Sequence, residues 1–118
     1  MRSKDKEILA KIIMYAEKAI DYLGSSSLEM FHTDDKTAAA CALNIIQIGE
    51  LANRLSDEFV EVNSHIPLYK IRGMRNRIVH DYEGMLIPVV YNVIKESLPQ
   101  LISDIKNIIK NGSTDAKG

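Results

Sequence analysis

Apolar residues recur at intervals of three and four along most of this chain, and this period constrains the fold more than any other feature. The interval places a stripe on one face of an α-helix, whereas a half-buried strand needs strict alternation. Over about residues 4–23 charged residues fill the gaps in the stripe, which predicts an amphipathic helix that ends at Gly24. The stripe consists of Ile8, Ile12, Tyr15, Ala16, Ala19, Ile20 and Leu23.

A second and longer stripe predicts the most buried helix. Thr33 is suited to cap its start, and Leu43 and Ile46 widen its apolar face beyond what one neighbouring helix covers. Gly49 lies in the middle of this helix, which predicts a close approach of another backbone rather than a break. The stripe consists of Ala38, Cys41, Ala42, Ile45, Ile48, Ala52 and Leu55.

Two further helices follow the same period. Pro67 suits the start of the third, which runs over about residues 67–82. Gly84 and Pro88 separate it from a fourth helix, where Pro99 predicts a kink because proline has no backbone N–H to donate. Four helices with short connectors and no alternating pattern predict an all-α fold, an antiparallel four-helix bundle.

The length of 118 residues is enough for one domain with a sizeable core. We expect a single domain over residues 1–110 and a flexible tail over 111–118. No apolar run approaches the roughly 18 residues needed to cross a bilayer, and the N-terminus has no signal-peptide pattern. With a single cysteine, no internal disulfide can form. We therefore expect a cytoplasmic protein that does not associate with a membrane.

Patterns that bind metals or nucleotides are missing from the sequence. The histidines His32, His65 and His80 are scattered, and neither a Cys-x-x-Cys nor a His-Glu-x-x-His pattern occurs. The glycines do not follow a phosphate-binding spacing. Cys41 lies on the buried stripe and is interpreted as a small core residue. We expect neither a metal nor a cofactor.

One segment, residues 66–80, has a charge that differs from the rest of the chain. It contains four basic residues and no acid, so the other 11 of 15 Lys and Arg stand against all 16 Asp and Glu. A basic helix of this kind suits the binding of a phosphate backbone. A solvated face that pairs with acids elsewhere is an equal alternative. The basic residues are Lys70, Arg72, Arg75 and Arg77.

The polar residues of this helix fall on two faces. Arg72, Asn76 and His80 share one face, while Arg75 and Tyr82 share another. Arg75 and His80 are about 140° apart on an ideal helix. They can act on one substrate only if the helix end distorts or if two chains pool their residues across a symmetric interface, which makes a homodimer part of the hypothesis.

The segment Arg75-Asn-Arg-Ile-Val-His80-Asp-Tyr82 resembles the Arg-x4-His-x-Tyr signature of the HepT toxins, within the HEPN superfamily of helical ribonucleases. Ile46-Gln-Ile-Gly-Glu50-Leu-Ala is also similar to that family, and the helix order fits over about residues 5–110. The resemblance implies a homodimeric, metal-independent endoribonuclease toxin with two copies of the motif in a cleft between subunits. It also implies attack of an RNA 2′-hydroxyl on the adjacent phosphate.

The resemblance assigns roles to the residues of the motif. His80 suits general acid and base transfer, and Arg75 suits stabilisation of the charge that builds on phosphorus. Asn76 is suited to orient the phosphate or His80 by a hydrogen bond. The further candidates for binding RNA or phosphate are Lys70, Arg72 and Arg77.

The same resemblance implies a partner, an MntA-like minimal nucleotidyltransferase antitoxin of a type VII-like toxin–antitoxin system. This partner would transfer AMP to the tyrosine of the motif, which is Tyr82 here. The added nucleotide would place bulk and negative charge where the RNA phosphate should bind.

Each assignment has a plainer alternative. His80 then caps a helix end, Arg75 forms a structural ion pair with Asp81 or Glu50, and Tyr82 is a core tyrosine. Two other functions fit the same sequence. One is a non-catalytic helical interaction module that binds a nucleotidyltransferase or a nucleotide, and the other is a plain nucleic-acid-binding bundle.

Overall fold

Seven α-helices and one π-helical turn make up the computed structural model, which describes residues 1–80 and 87–115, with side chains as far as residue 111. No strand occurs in these ranges, so the predicted all-helical fold is confirmed. The helices are α1 (Ser3–Leu23), α2 (Leu28–Thr33), α3 (Asp35–Ala52), α4 (Asp57–Val62), α5 (Leu68–His80), α6 (Ile87–Asn92) and α7 (Leu98–Asp115), and the π-helical turn is Val93–Ser97.

Helix α3 lies at the centre of the fold, with its most extensive packing on α1 and α5. Contacts at both ends of α1 show that α1 and α3 are antiparallel. Asp5, in the first turn of α1, bonds to Ser56 just beyond α3, while Ala19 near the other end of α1 contacts Cys41 near the start of α3. Because α3 has neighbours on two sides, most of its apolar face is covered, and Ile46 is half-buried, but Leu43, which the sequence also places on this face, stays exposed.

Cys41 is a core residue, as predicted. It is buried, and its Sγ donates a 3.7 Å hydrogen bond to the carbonyl oxygen of Ala19. Burial raises the pKa of the Cys41 thiol to about 11, with a smaller contribution from Asp34. A buried thiol with a raised pKa is a poor nucleophile and a poor metal ligand, which fits the role of Cys41 as a core residue.

The boundary before α3 differs from the prediction. Thr33 is the last residue of α2, a short helix that the sequence pattern does not predict, and the N-cap of α3 is Asp34. The Asp34 carboxylate accepts hydrogen bonds from the backbone N–H of Thr37 at 3.1 Å and from its hydroxyl at 2.6 Å. These bonds lower the pKa of Asp34. A carboxylate that accepts both bonds caps this helix start in place of Thr33, whose hydroxyl donates to Met30 instead.

Pro99 is accommodated by a change of helix type. The backbone N–H of Leu98 bonds to the carbonyl of Val93, five residues back, so one π-helical turn precedes the proline. Proline lacks an N–H for the carbonyl of Lys95, and its ring would press on that carbonyl in a regular helix. Widening the turn relieves both problems and keeps the chain helical. Helix α7 then continues to Asp115.

A buried carboxylate joins the start of α1 to α4. Asp5 is buried, and its two oxygens accept hydrogen bonds from the backbone N–H of Ser56 at 3.0 Å and the Ser56 hydroxyl at 2.6 Å. The same hydroxyl accepts from the N–H of Phe59 and so caps α4. Since both oxygens of the carboxylate accept hydrogen bonds, the cost of burying its charge is compensated.

None of the described helices has the length and apolar character needed to cross a membrane.

Candidate nucleic-acid interface and active site

Helix α5 carries most of the predicted site residues. It starts directly after Pro67, and its buried residues Leu68 and Ile78, with half-buried Ile71 and Met74, turn towards the core. This apolar side holds α5 against α3. The basic residues must therefore lie either along the edge of that contact or on the solvent side.

Arg72 lies along the edge, where its side chain turns inwards. Its Nη2 donates a 3.0 Å hydrogen bond to the carbonyl oxygen of Ala52, the last residue of α3. The last carbonyls of a helix have no partner within the helix and carry partial negative charge, so a guanidinium is well matched to them. Arg72 is therefore engaged with the end of α3 and is only partly available to a ligand.

Arg75 forms an ion pair with Glu50 across the contact between α3 and α5. Its Nη1 also donates a 2.8 Å hydrogen bond to the side-chain oxygen of Asn76. Both members of the ion pair are half-buried, and the Nε of Arg75 is buried without a partner among the described residues. Of the two partners that the sequence allows, Glu50 is the one observed, and Asp81 lies outside the described residues.

Gly49 makes this ion pair geometrically possible. A Cβ built on Gly49 would collide with the Cβ of Arg75 and would lie 2.7 Å from its Cγ. The stem of Arg75 therefore rests on the backbone of α3, in the space that any other residue would fill. The predicted close approach at Gly49 is confirmed, and the neighbouring element is α5.

His80 occupies a different side of α5 from Arg75. It is exposed, whereas Arg75 is half-buried, and α5 is helical as far as His80. The separation of about 140° expected for a regular helix therefore applies to the two residues within one chain. The helical geometry does not bring them together on one side. Tyr82, the predicted acceptor of AMP, lies outside the described residues.

The remaining predicted residues are on the solvent side. Lys70, Asn76 and Arg77 are exposed, and the neighbouring Tyr69 and Gly73 are exposed with them. The sequence analysis does not identify Tyr69 as a candidate site residue, because it belongs to no motif. Its signal in the sequence is position, since it lies 11 residues before His80 and so falls on the same side of a helix.

Two cavities are found away from Arg75 and His80. One of about 460 Å³ lies where α1, α4 and α7 meet and includes His65 in its wall. The other, about 280 Å³, lies between α3, α5, the π-helical turn and the start of α7. It is lined mainly by apolar side chains, with Lys70, Glu96 and Asp104 also in its wall. Within residues 1–80 and 87–115, no three His, Cys, Asp or Glu side chains are grouped as they would be to hold a metal.

Sequence comparison relates this chain to a family of known proteins. The sequence model of the ribonuclease HepT-like family matches residues 12–108, which include all of α3 and α5. The chain is 29% identical over 102 residues to a protein named "Putative RNase" of Caldanaerobacter subterraneus subsp. tengcongensis, covering 86% of this chain and 91% of that one.

A second relative carries the family name in its own. The "Probable ribonuclease HepT" of Thermococcus cleftensis is 26% identical over 110 residues, which is 93% of this chain and 100% of the relative. Among solved structures there is no match. The matches therefore extend over nearly the whole chain, well beyond the short motif that begins on α5.

Gly49 and Gly73 provide a matched test of the α3–α5 contact. Gly49→Ala places a methyl group against Arg75, so we expect the free energy of unfolding to fall by about 1–3 kcal/mol. Gly73→Ala meets nothing within 4 Å and gains helix propensity, so we expect a rise of about 0.5–1 kcal/mol. Urea titrations of both variants measure the two effects. Equal changes in the two variants would contradict the close contact at Gly49.

Proposed function

Because the chain belongs to the ribonuclease HepT-like family, we propose that it is the ribonuclease toxin of a toxin–antitoxin pair. The observation that carries the proposal is the arrangement on α5. Arg75 is held at the edge of this helix by Glu50 and Asn76, while His80 is exposed near its end. A fixed cation and an exposed imidazole are the two groups that cleavage of RNA without a metal requires.

The proposed reaction is an internal transfer at phosphorus. His80 takes the proton from a 2′-hydroxyl, the 2′ oxygen forms a bond to the adjacent phosphorus, and the bond from phosphorus to the 5′ oxygen breaks. The proton that His80 has taken passes to the 5′ oxygen, which leaves as a hydroxyl, so the other product is a 2′,3′-cyclic phosphate and His80 returns to its starting state. Arg75 stabilises the charge that builds on the phosphoryl oxygens, and Asn76 orients its guanidinium through the 2.8 Å hydrogen bond.

A homodimer completes this site in our proposal. Since Arg75 and His80 lie on different sides of one helix, the Arg75 of one protomer would act with the His80 of the other. Exposed apolar side chains on the same helix faces as the ion pair support a protein contact there. Leu43, 56% exposed, is on the same face of α3 as Glu50, and Val79, 42% exposed, follows Arg75 by one turn of α5.

Regulation by a nucleotidyltransferase partner is part of the same proposal. The hydroxyl oxygen of Tyr82 would attack the α-phosphorus of ATP, form a phosphodiester with AMP, and release pyrophosphate and a proton. Tyr82 is two residues beyond His80 in the sequence. The attached nucleotide would then compete with RNA for the cationic groups of α5 and would repel its phosphates.

One observation favours the interaction module as a second candidate function. The two arginines at the edge of α5 already have acceptors, Glu50 for Arg75 and the Ala52 carbonyl for Arg72. A guanidinium neutralised by a carboxylate attracts an RNA phosphate less strongly than a free one. A protein that binds a nucleotidyltransferase without cutting RNA would need no free cation at this position.

Cleavage of labelled single-stranded RNA in excess chelator tests the main proposal. We expect the wild type to cut, and His80→Ala to lose at least about 100-fold in rate because the general acid and base is removed. His65→Ala is the matched control, since His65 is also exposed but lies on another surface. Cleavage that stops in chelator, or that persists in His80→Ala, would contradict the proposal.

Modification of Tyr82 is tested by intact-mass measurement. We expect protein incubated with a cognate nucleotidyltransferase and ATP to gain the mass of one AMP and to lose its ribonuclease activity. Tyr82→Phe should gain no mass, because the acceptor hydroxyl is missing, and should resist inactivation. Tyr22→Phe removes an exposed hydroxyl on α1 and should behave as the wild type. AMP on Tyr82→Phe would place the acceptor elsewhere.

A further inference from the structure

We propose that a strand of RNA lies along the solvent side of α5, with one base stacked on Tyr69 and its phosphates beside Lys70 and Arg77. This surface, which we call the α5 outer face, consists of Tyr69, Lys70, Gly73, Asn76, Arg77 and His80. The inference rests on the proposed ribonuclease function and adds to it a binding surface for the part of the strand that leads to His80.

The α5 outer face is a continuous strip. Tyr69, Gly73 and His80 are four and seven residues apart, so they follow one side of the helix. With a rise of 1.5 Å per residue, the strip from Tyr69 to His80 is about 16 Å long. All six members are exposed, so a ligand can reach the whole length.

The charge of the strip favours a polyanion. Arg72 and Arg75 turn towards α3 and have acceptors there, whereas Lys70 and Arg77 are exposed, and Lys70 also lines the cavity that includes Glu96. In the described part of the chain neither of these two cations is paired with a carboxylate. Residues 66–80 contain no acid, so two copies of this face would repel each other. A second copy of the same face is therefore a poorer occupant than an RNA strand.

Tyr69 provides an apolar platform within this positive surface. It is 71% exposed. Among residues 1–80 and 87–115, its ring contacts no other ring and its hydroxyl forms no hydrogen bond. A large ring in water contributes little to folding, whereas stacking with a nucleobase removes its face from water. Stacking accepts any base, so this contact would bind RNA without selecting its sequence.

Gly73 is the least expected residue of the strip. Glycine inside a helix lowers stability relative to alanine, and a Cβ at this position would meet nothing within 4 Å. The packing of the protein therefore gives no reason for a glycine here, in contrast to Gly49. A ligand backbone that comes close to the helix between Tyr69 and Arg77 does give one.

Binding of a short 2′-O-methyl RNA, measured by fluorescence anisotropy on the full chain, tests this surface. The 2′ oxygen carries no proton, so binding is measured without cleavage. We expect Tyr69→Ala to weaken binding about 5- to 100-fold and Tyr69→Phe to bind as the wild type, because the ring alone stacks. Tyr22→Ala, which removes a 48% exposed tyrosine from α1, should leave the affinity unchanged.

Gly73→Leu separates a binding effect from a folding effect. Leucine favours the helix over glycine, so the thermal unfolding midpoint should rise, while its side chain blocks the strip and weakens RNA binding at least about fivefold.

Arg77→Gln tests the contact with phosphate. The affinity for RNA falls as salt rises, and the negative slope of log K against log salt should become shallower by about 0.7, as expected for one lost contact to a single strand. Sedimentation of each variant should show the same assembly as the wild type.

Several results would overturn this inference. Unchanged affinity in Tyr69→Ala or in Gly73→Leu would remove RNA from the α5 outer face. Dissociation of an oligomer by either variant would show that the face is a contact between protomers. If the wild type binds RNA through these residues but does not cut cleavable RNA, the proposed ribonuclease function fails while the binding surface stands.

Discussion

The close crossing of α3 and α5 at Gly49 is the contact on which the rest of the candidate site depends. The missing side chain of Gly49 lets the stem of Arg75 rest on the backbone of α3, and this brings the guanidinium within reach of Glu50. A residue with a Cβ would push α5 outwards and separate the ion pair. The contact therefore fixes both the position of the basic helix and the direction in which its central arginine points.

This arrangement gives the basic helix two sides with different tasks. Along one edge, Arg72 and Arg75 join α5 to α3 by a hydrogen bond to Ala52 and an ion pair with Glu50. On the solvent side, Lys70 and Arg77 are exposed. The four positive charges in the sequence are thus divided between holding the helix and presenting charge to solvent. Arg75 belongs to both tasks in our account, since it is part of the fold and the proposed stabiliser of charge at phosphorus.

The sequence predicts the long helices, because a stripe with a period near 3.6 needs a partner to cover it and leaves few other folds. It also predicts Gly49 as a close contact and Cys41 as core. It does not predict α2 and α4, because helices of six residues are too short for a stripe to be visible. The cap of α3 is misassigned by one residue, since Thr33 and Asp34 are both suitable and only the carboxylate accepts both bonds from Thr37.

A sequence pattern does not predict the direction in which each arginine side chain points. Arg72 and Arg77 look alike as members of a basic patch, yet one bonds to the end of α3 and the other is exposed. A long cationic side chain follows whichever acceptor the tertiary structure brings near it. The charge count of residues 66–80 therefore overstates the charge that faces solvent, and only the packing of α5 on α3 divides it.

The central claim is that Arg75 of one protomer acts with His80 of another, and mixing two inactive variants tests it most directly. After subunit exchange between Arg75→Ala and His80→Ala, each mixed dimer should hold one site with both residues intact. An equal mixture should then recover about one quarter of the wild-type cleavage rate, since half the dimers are mixed and each has one working site. No recovery, with mixed dimers shown to form by native mass measurement, would contradict the claim.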